Sequence, residues 1–306
     1  MGAALDASRE SRVPLRVRVP ASTSNLGPGF DCLGLALSLS LEVTLQGPAD
    51  GPQHAVRRAG EGADRPYAPG EDLVLVGFDR GCELLGSEGV YRFDVRSEIP
   101  LGRGLGSSAA ALGAGLLLAR AVAAPETPLE RLVEEAARLE GHPDNAVPAL
   151  TGGCTLSLAL PDGSVRSVRP EVSPEVGFVS AWPASPFATH RARELLPAEV
   201  PFRDACENPV RLALLLEGLR SADPELLRLG IEDRLHVPYR LPAMPDTARA
   251  IAAAYAAGAW AATLSGAGSG VICLCPADEA EELAANLPDD LTSRAVTVAP
   301  APRVES

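Results

Sequence analysis

Residues 100–110 of this chain read PLGRGLGSSAA. Gly102, Gly104 and Gly106 alternate with Arg103 and Leu105, and Ser107, Ser108, Ala109 and Ala110 follow directly. Glycine lacks a Cβ, so this backbone can approach a ligand closely and adopt positive φ. Ser107 or Ser108 suits an N-cap, and residues 109–123 have high helix propensity and few breakers. The free amides and positive dipole end of that helix would face the loop, which makes a phosphate site. All 27 of the chain's Lys+Arg residues are arginine. The P-loop pattern, which needs a lysine after its last glycine, is therefore absent. Catalytic-lysine kinases and Schiff-base chemistry are excluded with it. Gly104 to Ala109 also reads GxGxxA, a partial dinucleotide-binding fingerprint. The acidic residue near the required spacing, Glu126, lies in the turn-like APETP and not at a strand end.

Three other polar clusters could carry chemistry: residues 25–31 (NLGPGFD), 140–145 (EGHPDN) and 265–270 (SGAGSG). Taken singly, the first and last are ordinary turns or linkers. The middle one is a helix C-terminus with a capping glycine.

The elements that must position these clusters follow from periodicity and breakers. Residues 15–19 alternate as a strand that ends at Pro20 and enters a polar turn. Residues 33–45 are strand-like, and 46–70 form an exposed excursion rich in Gly, Pro and charge. Residues 72–85 read as a helix, and 91–99 as the strand feeding the phosphate loop. Thr127-Pro128-Leu129-Glu130 is a capping box with proline at the first helical position, opening a helix that stops near Gly141. Residues 154–160 form a strand before a Pro-Asp-Gly turn. Beyond it come a strand at 176–181, helices at 208–219, 224–229 and 247–257 with Gly258 as cap, and strands at 259–265 and 271–275 around the SGAGSG loop. The mixture predicts two α+β domains, residues 1–165 and 166–306.

Composition narrows the class. Hydrophobic content is 46%, which a folded core requires, and 306 residues can bury a sizeable one. A net charge of −13 argues against nucleic acid or an anionic membrane as partner. No apolar run is long enough to span a membrane, and residues 1–14 lack a signal-peptide core and read as a lead-in. A cytoplasmic protein is expected. The six cysteines show no CxxC pair and no zinc spacing, and read as buried free thiols. The four histidines show no HxxxH or HExxH arrangement.

In their order along the chain, NLGPGFD, PLGRGLGSSAA, EGHPDN and SGAGSG resemble the GHMP kinase family. The extended forms NLGPGFDCLGLAL from Asn25 and EGHPDNAVPA from Glu140 are similar to the marks of its homoserine-phosphorylating branch. ATHRAR from Ala188 resembles that branch's STxxAR, and EDRLHVPYR from Glu232 is a further mark. The resemblance spans about residues 17–275, with these separated motifs in order. It implies ATP- and Mg2+-dependent phosphorylation of the side-chain hydroxyl of L-homoserine, giving O-phospho-L-homoserine on the way to threonine. It also implies a ribosomal-protein-like N-terminal domain, a ferredoxin-like C-terminal domain and a cleft between them. Family members are often dimers, which leaves a homodimer open.

The implied roles fall on named positions. Residues 100–110 wrap the ATP phosphates, and Ser107 or Ser108 offers a hydroxyl to magnesium or phosphate. Gly266 and Gly268 serve the phosphate side from the third loop, which ends in Ser269-Gly270 where the family often has Pro-Thr or Pro-Ser. Asp72 stands where the family often has an asparagine that contacts adenine. Asp31 suits the substrate ammonium; Asn25, His142 and Thr189 suit substrate binding, and Asn145 suits the reacting hydroxyl. Arg193 and Arg240 match a carboxylate bidentately. Glu134, 11 residues before Asn145, fits the family's magnesium-binding glutamate. On a helical wheel it lies nearly opposite the apolar stripe of Leu129, Leu132, Val133, Ala136 and Leu139, so it is solvated unless that face looks into the cleft. The homoserine branch has Asn145 where relatives carry an aspartate base. Positioning then suffices, because the phosphoryl transition state is loose. Competing readings are a mevalonate- or shikimate-type kinase and a non-catalytic nucleotide-binding module.

Overall fold

A computed structural model describes residues 13–68 and 70–306; most of the expected lead-in, residues 1–12, lies outside the described residues. Strand β1 (Leu15–Asn25) pairs antiparallel with the 20-residue β2 (Gly29–Pro48). Next come β3 (Ala55–Gly60), α1 (Leu73–Leu85) and β4 (Tyr91–Ser97). They lead through the glycine loop into α2 (Ser107–Ala123), then α3 (Leu129–Glu140), α4 (Pro143–Thr151), β5 (Cys154–Ala159) and β6 (Val165–Val168). Beyond these lie β7 (Val176–Pro183), α5 (Thr189–Glu194), α6 (Phe202–Ser221), α7 (Pro224–Gly230), α8 (Val237–Arg240) and α9 (Pro245–Ala256). The chain closes with β8 (Ala261–Leu264), β9 (Val271–Pro276), α10 (Ala280–Ala285), β10 (Leu291–Val296) and β11 (Val304–Glu305).

The first sheet runs β11-β1-β2-β4-β3, with β5 on β2 and β6 on β5. The length of β2 allows this: residues 33–35 pair with β5, and residues 41–48 pair with β4 on the same edge. The second sheet runs β10-β7-β9-β8, all antiparallel. Its β9, VICLCP, is an unbroken apolar run because both faces are covered. Ile272 and Leu274 join the main core with Phe178, while Val271, Cys273 and Cys275 pack in a second core with Ala250, Ala254 and Leu283. Two segments beyond residue 165 belong to the first sheet: β6 pairs with β5, and β11 returns to β1.

Several local expectations change. Strand β1 does not stop at Pro20 but runs to Asn25, with residues 20–25 buried. Polar residues can continue it because the Ser22, Thr23 and Ser24 hydroxyls all find partners, as described below. The 46–70 excursion contains β3, whose charged residues disguise a strand that pairs parallel with β4. Helix α2 begins at Ser107 on a left-handed Gly106 with no side-chain cap, so neither serine is the N-cap. Helix α3 likewise has no side-chain cap: Pro128 stays extended at ψ 139° and delays the start to Leu129. EGHPDN ends one helix and starts another, since Pro143 opens α4. Four cysteines are buried as expected, but Cys206 is exposed and Cys32 half-buried; all six are free.

Candidate active site

Three loops and a helix end meet in a cleft of about 390 Å³. The first is the turn after β1, the second the glycine loop before α2, the third the loop between β8 and β9. The α3–α4 junction closes one side, and Thr189, Arg193 and Arg240 come from the second half of the chain.

Backbone contacts hold the loops together. The Gly270 amide donates to the Arg103 carbonyl (3.1 Å) and the Gly266 amide to the Ser24 carbonyl (3.1 Å). Ser265 Oγ donates to the Gly104 carbonyl at 2.7 Å and is 2.9 Å from Thr23 Oγ1. Gly104 and Gly106 have φ of 68° and 65°. A Cβ at Gly104 would sit 1.8 Å from the Ser265 carbonyl oxygen, and one at Gly106 2.1 Å from Ser22 Oγ. Only glycine fits either place. The amide of Ala110 is the first to donate back, to the Gly106 carbonyl at 2.9 Å. The amides of residues 107–109 are thus left by the helix for an anion, where the helix dipole is positive.

Ser108 Oγ donates to Glu140 Oε2 at 3.2 Å. Burial pushes the Glu140 carboxyl above its usual range, against the Ser108 hydrogen bond and the neighbouring His142. A half-buried carboxylate beside a hydroxyl at a glycine loop is a hard-oxygen pair suited to a divalent cation. Glu134 does not line the cleft. It sits six residues before Glu140, about 9 Å back along the helix at 1.5 Å per residue, on a half-buried face. The glutamate in the cleft is therefore Glu140, the first residue of EGHPDN. Counting back from Asn145 misses it, although it stands in the motif itself.

Asn145 Oδ1 accepts from Ser22 Oγ (2.9 Å), and its Nδ2 donates to Ser24 Oγ (2.9 Å). One N–H and one lone pair of the amide are left for the cleft. Asn25 donates from Nδ2 to the Gly266 carbonyl and accepts the Asp31 amide on Oδ1, both at 2.9 Å. It pins the first loop to the third, is buried at 3% exposure and lines the cleft beside Asp31.

Arg193 and Arg240 converge on Phe30, their guanidinium carbons 5.8 Å and 5.2 Å from its ring centre. Arg193 makes a two-pronged ion pair with Asp31, at 2.8 Å and 3.1 Å. Arg240 is 2% exposed. Burial, and then the nearby Arg193 charge, push its pKa down to about 10. A buried cation of this kind is stabilised by any carboxylate brought against it. His142 lines the same cleft, with Nδ1 2.5 Å from Asp144 Oδ1. Burial disfavours its charge, but Asp144 and Glu140 outweigh that and hold its pKa above the ordinary value. Thr189 lines the mouth at the start of α5.

Across the glycine loop a second cavity of about 380 Å³ shares Leu73, Gly102, Ser107 and Ser108 with the first. Leu41, Val95, Leu101 and Ala111 give it an apolar wall. Asp72 lies in it but is engaged: it caps α1 at the Val74 amide (3.2 Å) and pairs with Arg58. Arg58 in turn stacks 4.2 Å over Tyr67. Both residues come from the segment read as an excursion, where no motif marked them. Some expected loop positions face elsewhere. Leu105, Ala109 and Ala110 are buried in the core, although Leu105 also touches the cleft. Pro100 and Gly268 line neither cavity, and the Arg103 guanidinium reaches the Ala184 carbonyl instead.

The family model for the GHMP kinases N terminal domain matches residues 73–153, and that for the GHMP kinases C terminal matches residues 215–292. A homoserine kinase of Streptomyces coelicolor is 42% identical over 275 residues, 89% of this chain and 87% of that protein. One of Synechococcus is 40% identical over 266 residues, 86% and 84%. The crystal structure of homoserine kinase from Cytophaga hutchinsonii superposes with a TM-score of 0.84, at 24% identity, over 99% of this chain and 100% of that one. It shares the two-domain fold of mixed sheets and helices. The chain belongs to the GHMP kinase family, in its homoserine kinase branch, and is a phosphotransferase. Among the described residues no helix is long and apolar enough to cross a membrane.

Proposed function

We propose that this chain transfers the γ-phosphoryl group of ATP to the side-chain hydroxyl of L-homoserine. The observation that carries the reading is one cleft holding two converging arginines, Asp31 and Asn145 within reach of a glycine-built phosphate loop. Arginines and a carboxylate side by side match an α-amino acid zwitterion better than mevalonate, which offers only a carboxylate. The Arg193–Asp31 pair neutralises itself. A zwitterion replaces each partner in kind, its carboxylate taking the arginines and its ammonium taking Asp31. The side-chain hydroxyl then meets the free N–H and lone pair of Asn145.

The nucleotide base enters the apolar cavity beside Tyr67, and its phosphates bridge to the amides of the glycine loop. The hydroxyl oxygen bonds to the γ-phosphorus, the bond to the β-phosphate oxygen breaks, and the hydroxyl proton passes to a phosphoryl oxygen. Alignment supplies most of the acceleration, since the transition state is loose. Ser108 and Glu140, and not Glu134, are the residues that would hold magnesium. Among the described residues no group of three or more His, Cys, Asp or Glu side chains is arranged to hold a metal ion by itself. This suits an ion held by few protein groups and mainly by substrate phosphates. Bound there, it neutralises charge on the phosphate oxygens.

The test is a coupled ADP-release assay with magnesium-ATP against L-homoserine, D-homoserine, L-serine, mevalonate and shikimate. L-Homoserine is the expected substrate, with D-homoserine and L-serine far poorer. Turnover of mevalonate or shikimate without homoserine overturns the reading, and no ADP release at all returns the chain to a nucleotide-binding module.

A further inference from the structure

His236 is fully buried, directly before α8, and its ring stacks on Phe30 with centroids 5.1 Å apart and planes 29° apart. Its Nε2 lies 2.8 Å from the Gly27 carbonyl oxygen, and its Nδ1 lies 3.1 Å from Nη1 of Arg240. A carbonyl can only accept and a guanidinium can only donate. The partners therefore assign the ring: Nε2 carries the hydrogen and Nδ1 offers a lone pair. Burial favours the same neutral form, against the nearby Asp233 charge. Asp233 is spent on the backbone, accepting the amides of Leu235, His236 and Val237 at 3.0, 2.7 and 2.7 Å. The histidine is thus fixed from its own main chain outward.

Arg240 has few other holds. Its Nε donates to the Ala192 carbonyl at 3.2 Å, and Nη1 has one further contact, to the Gly266 carbonyl at 3.4 Å. A long arginine side chain loses about 2 kcal/mol of rotamer freedom when fixed, so its aim depends on such contacts. We propose that His236 is the positioning residue of the substrate carboxylate site. Through Nδ1 it aims the Arg240 guanidinium, and through Nε2 it sets that arginine's distance from the turn that leads into Phe30 and Asp31 of β2. The inference rests on the reading that Arg240 receives the homoserine carboxylate.

Side-chain length allows the two bonds to be tested apart. The oxygen of an asparagine falls near the place of Nδ1, and the amide nitrogen of a glutamine near that of Nε2. His236→Phe keeps the ring stacking and loses both bonds. His236→Phe and His236→Gln are expected to raise the homoserine KM about 10-fold, as for one misaligned charged hydrogen bond, with the ATP KM unchanged. His236→Asn should recover most of the affinity. In an Arg240→Ala background, His236→Phe should add nothing further, because the histidine acts through the arginine. A homoserine KM unmoved by His236→Phe overturns the proposal. So does an ATP KM that rises in step, an Asn variant no better than Gln, or a full additional effect in the Arg240→Ala background. Should the Phe variant fail to fold, the Asn and Gln pair decides alone. If Arg240→Ala itself leaves the homoserine KM unchanged, the carboxylate reading has failed, separately from the role of His236.

Discussion

The two halves of the cleft are built from different materials. The phosphate half is main chain: amides after Gly106 and two glycines that no other residue can replace. The substrate half is side chain: Asp31, Asn145, Arg193 and Arg240 come from four distant segments and meet only when both sheets are in place. A backbone site depends on conformation and tolerates little, whereas a side-chain site divides its work among residues that can be removed one at a time. The halves touch at Ser108 and Glu140, where a helix start meets a helix end.

Breaking the phosphate half should have the largest effect. Gly106→Val places a branched side chain at φ 65° against Ser22, so calorimetry should detect no ATP binding while circular dichroism shows a folded chain. Retained ATP affinity would mean that the loop is not the cradle. Asn145→Ala comes next. Loss of alignment at the hydroxyl should lower kcat on the order of 100-fold, with a smaller change in homoserine KM. A pure KM effect would move Asn145 to the binding role.

Two variants sharpen the junction between the halves. Glu140→Gln should shift the magnesium dependence of turnover upward by roughly 10- to 100-fold, at least what loss of a ligand's supporting partner costs. Glu134→Gln should leave that titration where it is in the wild type. The reverse result would restore the glutamate reached by counting back from Asn145.

That contrast shows what the sequence made legible. The glycine loop is contiguous, so its composition alone announced a phosphate site, and the NLGPGFD and SGAGSG loops that brace it were visible too. Glu140 was legible within EGHPDN, but choosing between it and Glu134 requires knowing that only the last turn of α3 reaches the cleft. Asn25 was visible as a residue and not as a brace, because its two partners are backbone groups, one of them 241 residues away. Arg58 and Tyr67 were hidden because their segment carries the charge and breakers of an exposed loop. Strand β1 was cut short at Pro20, since the hydroxyls that keep residues 22–24 buried are satisfied only by the third loop and α4.

The smaller effects in the substrate half give the sharpest separation of the two. Arg193→Ala, measured by steady-state ADP release with each substrate varied in turn, is the most direct test. A bidentate charged contact contributes roughly 1.5–3 kcal/mol. The homoserine KM should therefore rise about 10- to 150-fold while the ATP KM holds within about twofold. Equal rises in both KM values, or a change in the ATP KM alone, would contradict a cleft divided into a main-chain phosphate half and a side-chain amino-acid half.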